Sequence, residues 1–188
     1  MTLPLAQLGD AQLMAAVQQG AHPAFATLVA RHHARCFALA WRVLNNRAEA
    51  EDAVQDAFVK LWNNKLRYDP ARGNFGGWLT RIVTNAALDR RRMVKDVATL
   101  EDAGWVADER PTADRIAESN DLHQTMAAMP PRQRAAITLF YIEGFSMAEV
   151  AEIMASNVKA VESMLSRGRS ALKVLLAGTN TSATRAGA

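Results

Sequence analysis

Apolar residues along this chain recur at spacings of three and four, and no stretch alternates apolar with polar positions between hairpin turn signals. The pattern predicts an all-α protein. In the N-terminal half it predicts four helices, at about residues 10–19, 23–44, 48–63 and 75–94. His22-Pro23 opens the second, because proline suits a first helical turn whose N–H has no partner to lose. Asn45-Asn46 closes that helix, and Asp69-Pro70 with Gly73, Gly76 and Gly77 forms a loop before the fourth. From Lys95 to Asn120 the periodicity lapses, acids gather and Pro111 appears, so the stretch reads as a linker with Trp105 as its candidate anchor. Beyond it the pattern predicts a helix near 121–128, a break at Pro130-Pro131, a helix over 132–143, and two more helices after Gly144. The tail AGTNTSATRAGA is small and polar and reads as disordered. The expectation is two small helical domains, residues 1–95 and 122–176, joined by an acidic linker over 96–121 and followed by a disordered tail over 177–188.

Composition supports this division. The chain has 188 residues and is 49% apolar, enough for two small cores. Its net charge of +3 conceals a segregation: residues 1–95 carry +6, residues 96–121 carry −6, and residues 122–188 carry +3. Basic blocks attract polyanions, while an acidic segment between them repels DNA, imitates it, or is simply a solvated linker. No run approaches the roughly 20 apolar residues that span a bilayer, and MTLPLAQLGD lacks the charged start and apolar centre of a secretory signal. The expected location is the cytoplasm, without membrane insertion. A single cysteine, Cys36, has no internal disulfide partner and agrees with a reducing compartment.

Three features carry candidate chemistry. The segment from Gly144 to Leu176 reads as a helix-turn-helix. Ser146 and Glu149 form an S-x-x-E capping box for a short helix with Val150, Ala151 and Met154 inward. Ala155-Ser156 makes the turn, and Asn157 caps a second helix with Val158, Val161, Leu165 and Leu172 on its apolar face. Its other face offers Lys159, Glu162, Ser163, Ser166, Arg167 and Arg169. Such a face suits a major groove, where the start of a recognition helix reaches base edges and basic side chains hold phosphates. Two amphipathic helices also occur in any bundle.

On the helix over 75–94, Phe75, Trp78, Leu79, Ile82 and Ala86 form the apolar stripe. Arg81, Asn85 and Arg92 line an adjacent one, and Arg91 and Lys95 widen the basic surface, which is densest at Arg90-Arg91-Arg92. Beside a glycine-rich loop carrying aromatics, this face either contacts phosphates and unpaired bases or is merely solvated. The third feature is AEAEDAVQDAFVKLW, with Val54, Ala57, Phe58, Leu61 and Trp62 as its core face and Glu49, Asp52 and Asp56 opposite. An acidic stripe on a protein that binds DNA elsewhere must face away from the DNA, which points to a protein partner.

In this order the stretches FATLVARHHARCFALAWRVL, AEDAVQDAFVKLW, GNFGGWLTRIVTNAALDRRR and MPPRQRAAITLFYIEGFSMAEVAEIM resemble the bacterial sigma factors, specifically the small two-domain extracytoplasmic-function (ECF) class. The resemblance covers about residues 10–176. It implies that residues 1–95 bind the clamp helices of core RNA polymerase and melt the minus-10 element, and that residues 122–176 bind the polymerase flap and the minus-35 element. It implicates Asp52, Gln55 and Asp56 in clamp binding, with Asn85 reading the minus-10 element. It also places Phe75 in the loop that receives a flipped non-template base and runs the acidic linker through the polymerase channels. An anti-sigma partner is a further implication.

The recognition helix departs from the family pattern V-x-S-R-L, reading Val161, Glu162, Ser163, Met164, Leu165. Ser163 and Arg167 keep DNA-contacting positions, whereas Glu162 and Met164 do not. Ala155 replaces the usual turn glycine, and an alanine at positive φ costs about 1 kcal/mol.

Other chemistry has weaker support. His32 and Cys36 share one helix face, but with Phe25, Leu28, Leu39 and Val43 they read as core rather than as metal ligands. Met126, Met129, Met147, Met154 and Met164 read as packing residues or partner contacts. No catalytic motif or cofactor-binding motif appears. The competing functions are a stand-alone helix-turn-helix regulator with a sensing or dimerising N-terminal domain, for which no obvious pocket is expected, and an all-α enzyme with paired inward carboxylates.

Overall fold

The computed structural model describes residues 4–63, 68–98 and 126–185, and the chain forms two compact units, Met1–Arg90 and Arg91–Ala188. Among the described residues the regular structure is helical throughout.

The first unit contains α1 (Asp10–Gln18), α2 (His22–Leu44), α3 (Arg47–Trp62) and the start of α4 (Phe75–Ala98). Asn45 and Asn46 divide the work of joining α2 to α3. Asn45 takes the left-handed conformation at φ 54° and donates its N–H to the Trp41 carbonyl, ending α2. Asn46 is extended, and its side chain accepts the N–H of Glu49, starting α3. The core draws Leu13, Met14 and Val17 from α1, Leu28, Leu39 and Val43 from α2, Val54, Phe58 and Leu61 from α3, and Leu79 and Val83 from α4. Before α1, a 3-10 turn over Leu5–Gln7 is held by Arg31, which donates to the carbonyls of Ala6 and Leu8 and to the Asp10 carboxylate.

In the second unit α5 (Pro131–Ile137) widens into a π-helical turn over Thr138–Ile142, where the sequence predicts a single uniform helix. Glu143 donates to the Thr138 carbonyl, and Gly144 at φ +77° turns the chain towards α6 (Met147–Ile153) and α7 (Val158–Arg185). Arg134 is 3% exposed yet well provided for, since its Nη1 donates to the carbonyls of Ala127 and Met129, each at 3.0 Å. Those carbonyls offset the cost of burying the guanidinium.

Two boundaries differ from the expectation. Helix α4 continues past Val94 to Ala98, taking up the first residues of the expected linker; the remainder, with Trp105, lies outside the described residues. Helix α7 continues to Arg185 through most of the tail expected to be disordered. Once a helix is nucleated each added residue gains a hydrogen bond, and the tail holds no proline to break it, though Gly178, Thr179 and Asn180 are poor helix formers.

Candidate polymerase and nucleic-acid interfaces

The helix-turn-helix is built by its caps. Ser146 accepts the N–H of Glu149 at 3.3 Å, and the Glu149 carboxylate accepts the N–H and O–H of Ser146 at 2.8 and 2.7 Å. Ala155 occupies the turn at φ 46°, and Asn157 caps α7 by accepting the Ala160 N–H at 2.8 Å. Arg132, reaching from α5, donates to the Met154 carbonyl at 3.0 Å and so fixes the end of α6. The inward seam of α7 is Val161, Met164, Leu165 and Gly168. A Cβ on Gly168 would stand 2.3 Å from Cδ1 of Ile137, so the glycine is what lets α7 lie against α5. The sequence expectation missed Gly168 and put Val158 on this seam; Val158, in the first turn of α7, is 46% exposed.

Lys159, Glu162, Ser163, Ser166, Arg167 and Arg169 are all exposed, as the periodicity predicted, and Met164 is buried at 8%. The Met164 departure therefore alters packing rather than the outward surface. Arg167 donates to the Ser163 hydroxyl at 3.1 Å, joining those two positions. Among the described residues no ion pair joins Glu162 to Lys159.

On α4, Asn74 caps the first turn by accepting the Gly77 N–H at 2.7 Å, and Tyr68 spans the preceding loop by donating to the Gly73 carbonyl at 3.1 Å. Gly73, at φ +141°, occupies a conformation that side chains resist. Phe75 begins the helix rather than standing in the loop, and it is 2% exposed, with its ring against Tyr68, Trp78 and His32. Asn85 is exposed, and Arg81 and Arg91 are half-buried. The side chain of Arg92 lies outside the described residues.

Helix α3 presents Asp52, Gln55 and Asp56 outward. Glu49, expected on the same stripe, is half-buried beside the cap. Arg90 closes over the two aspartates: its Nη1 lies 2.9 Å from Asp52 Oδ2 and its Nε 3.2 Å from Asp56 Oδ2. The basic triplet is thus divided, with its first member turned to α3. Next to this stripe an open groove of about 650 Å³ runs between α2 and α3 over Phe25, Val29, Phe37, Val54, Phe58 and Trp62, with Gln55 at its edge. No such pocket was expected. Phe25, predicted as core, lines this groove, while Cys36 is buried and His32 meets the Asp10 carboxylate at 2.8 Å.

The family model for Sigma-70 region 2 matches residues 28–96, which contain most of α2, all of α3 and most of α4, and the model for Sigma-70 region 4 matches residues 119–172, which contain α5, α6 and the first half of α7. The ECF RNA polymerase sigma factor SigE of Mycolicibacterium smegmatis is 35% identical over 90% of this chain and 68% of its own length. SigM of Mycobacterium tuberculosis is 35% identical over 92% and 87%. This chain belongs to the ECF RNA polymerase sigma factors. SigW of Bacillus subtilis, 34% identical over 84% of the chain and 91% of its own length, is another relative of the same kind.

Solved structures share the fold. The sigma factor RpoE of Bartonella quintana, in complex with the anti-sigma factor NepR, aligns with a TM-score of 0.69 at 23% identity, covering 81% of this chain and 96% of that one. CnrH, in complex with the cytosolic domain of CnrY, aligns with a TM-score of 0.61 at 30% identity over 90% and 97%. As an ECF sigma factor the chain is a transcription initiation factor, which favours the sigma reading over the stand-alone regulator. Among the described residues no helix is long and apolar enough to cross a membrane, and no group of three or more His, Cys, Asp or Glu residues is placed to hold a metal ion.

Proposed function

We propose that this sigma factor acts in the cytoplasm, without catalysing a reaction of its own, by presenting three surfaces. Asp52, Gln55 and Asp56 on α3 meet the clamp helices of core RNA polymerase. Asn85, with Arg81, Arg91 and Arg92, works on the minus-10 element. The outward face of α7, from Lys159 through Glu162, Ser163, Ser166, Arg167 and Arg169, reads the minus-35 element while the same unit meets the flap. The observation that carries this reading is that the segment matched by Sigma-70 region 2 exposes Asn85 and the acids on different helices, each with its apolar face buried. Acids repel phosphates, so one surface suits protein and the other DNA. Phe75, being buried, supports the wall of the minus-10 loop rather than offering its own ring to a base. An anti-sigma protein is the proposed regulator, since the sigma factor RpoE is found in complex with the anti-sigma factor NepR.

The test is charge reversal. Asp52→Lys with Asp56→Lys should weaken binding to core RNA polymerase by at least tenfold, about 1.4 kcal/mol or more, while the thermal melt stays cooperative. Unchanged core affinity in a folded variant would sink the clamp assignment.

A further inference from the structure

We infer that Arg90 is an internal competitor for the polymerase-binding acids: in the free sigma factor it occupies Asp52 and Asp56, and docking on core must displace it. This rests on the proposed clamp contact of those two residues.

Both aspartates converge on one guanidinium, at 2.9 and 3.2 Å. They lie four residues apart and hence one above the other on α3, and a planar guanidinium with several donors can serve both at once. The pair is not buried. Arg90 is 31% exposed and the aspartates 52% and 50%, so water and a competing cation reach them and the ion pairs can open. Its ion pairs turn Arg90 towards α3 and away from Asn85. At 100° per residue it lies about 140° around α4 from Asn85. Its charge therefore neutralises an acidic patch instead of adding to the basic one.

The consequence follows from charge balance. A cationic group of the polymerase approaching α3 meets aspartates that already hold a positive charge. It must take the place of Arg90, so the free energy of docking on core is reduced by that of opening the internal ion pairs. The same exchange frees a guanidinium at the end of the promoter-reading part of α4 as polymerase docks. Arg90 is a positioning residue in this account, acting on polymerase through the aspartates.

The experiment measures affinity of the full-length chain for core RNA polymerase at low and at high salt, in wild type, Arg90→Gln, Asp52→Asn with Asp56→Asn, and the triple variant. Removing Arg90 alone should tighten core binding by about three- to tenfold at low salt, the scale of exposed ion pairs, and by less at high salt. With both aspartates already changed to Asn, removing Arg90 should leave affinity as it was. Unchanged or weaker binding by Arg90→Gln would overturn the competition. The underlying clamp assignment is tested separately, by comparing Arg90→Gln with the triple variant, where no internal pair masks the acids. If those two bind core equally, the acids do not contact polymerase and both ideas fall. If the triple variant binds more weakly while Arg90→Gln matches wild type, only the competition falls. Should Arg90→Gln not give a cooperative melt, Arg90→Lys keeps the question answerable, because it loses the two-pronged geometry and should tighten core binding by a smaller factor; no change there would also overturn the proposal.

Discussion

Ala155 is a single residue whose backbone conformation is legible from the chain alone. The helix-turn-helix requires a sharp turn, the usual glycine is absent, and the alanine stands at φ 46°. Three hydrogen bonds hold it there: the Ser156 N–H on the Ala151 carbonyl, the Asn157 cap on α7, and the Arg132 donation to Met154. Ala155→Gly should relieve the strain and raise stability by about 1 kcal/mol, read as a higher urea midpoint at unchanged slope. A lower midpoint would mean that the turn carries no strain. On the recognition face, Arg167 and Glu162 should separate by chemistry. Arg167→Ala should weaken minus-35 binding across sequences and reduce its salt dependence if the contact is to phosphate. Glu162 is repelled by phosphates and accepts favourably from a cytosine amine, so Glu162→Ala should relax preference at one base pair by about 1 to 3 kcal/mol. Selection from a promoter library gives the answer, and identical minus-35 preferences with and without Glu162 would remove it from base reading. The alternative of a local pair with Lys159 is not formed among the described residues.

At the scale of the element, helices and caps were readable because their causes are local. Asn45-Asn46, Ser146 with Glu149, and Asn157 each satisfy backbone groups within four residues of themselves. What escaped depends on partners distant in sequence. Gly168 is explained only by Ile137 and Arg90 only by Asp52 and Asp56, while the groove is lined by residues of both α2 and α3, among them Phe25 and Trp62. Periodicity placed Val158 with Val161, yet only Val161 is buried. The candidate site was legible to the same degree: the outward residues of α3 and α7 are outward, whereas Phe75 belongs to the core and not to the loop. Helix α4 carries the element-scale prediction, because Asn85 is exposed beyond a capped and cross-braced loop. Asn85→Ala should lower open-complex formation on a duplex promoter, and a template already melted over the minus-10 element should recover part of the loss. An equal defect on both templates would place Asn85 in duplex affinity instead.

The whole molecule divides into two units, and each matches a different part of a sigma factor. Together they account for a charge distribution that otherwise looks contradictory: under the proposed function, the acidic face on α3 and the basic residues on α4 and α7 have different partners, protein for the first and promoter DNA for the others. A stand-alone regulator has use for the helix-turn-helix but none for the α3 acids or for Asn85. The most direct measurement is therefore reconstitution. The purified chain is combined with core RNA polymerase of its native host on genomic DNA from that host, and transcript 5′ ends are mapped with and without it. A sigma factor of this kind should give a stoichiometric complex with core and a set of new start sites that share minus-10 and minus-35 elements and disappear when the chain is omitted. Discrete DNA binding by the chain alone, with neither a complex with core nor new start sites, would contradict it.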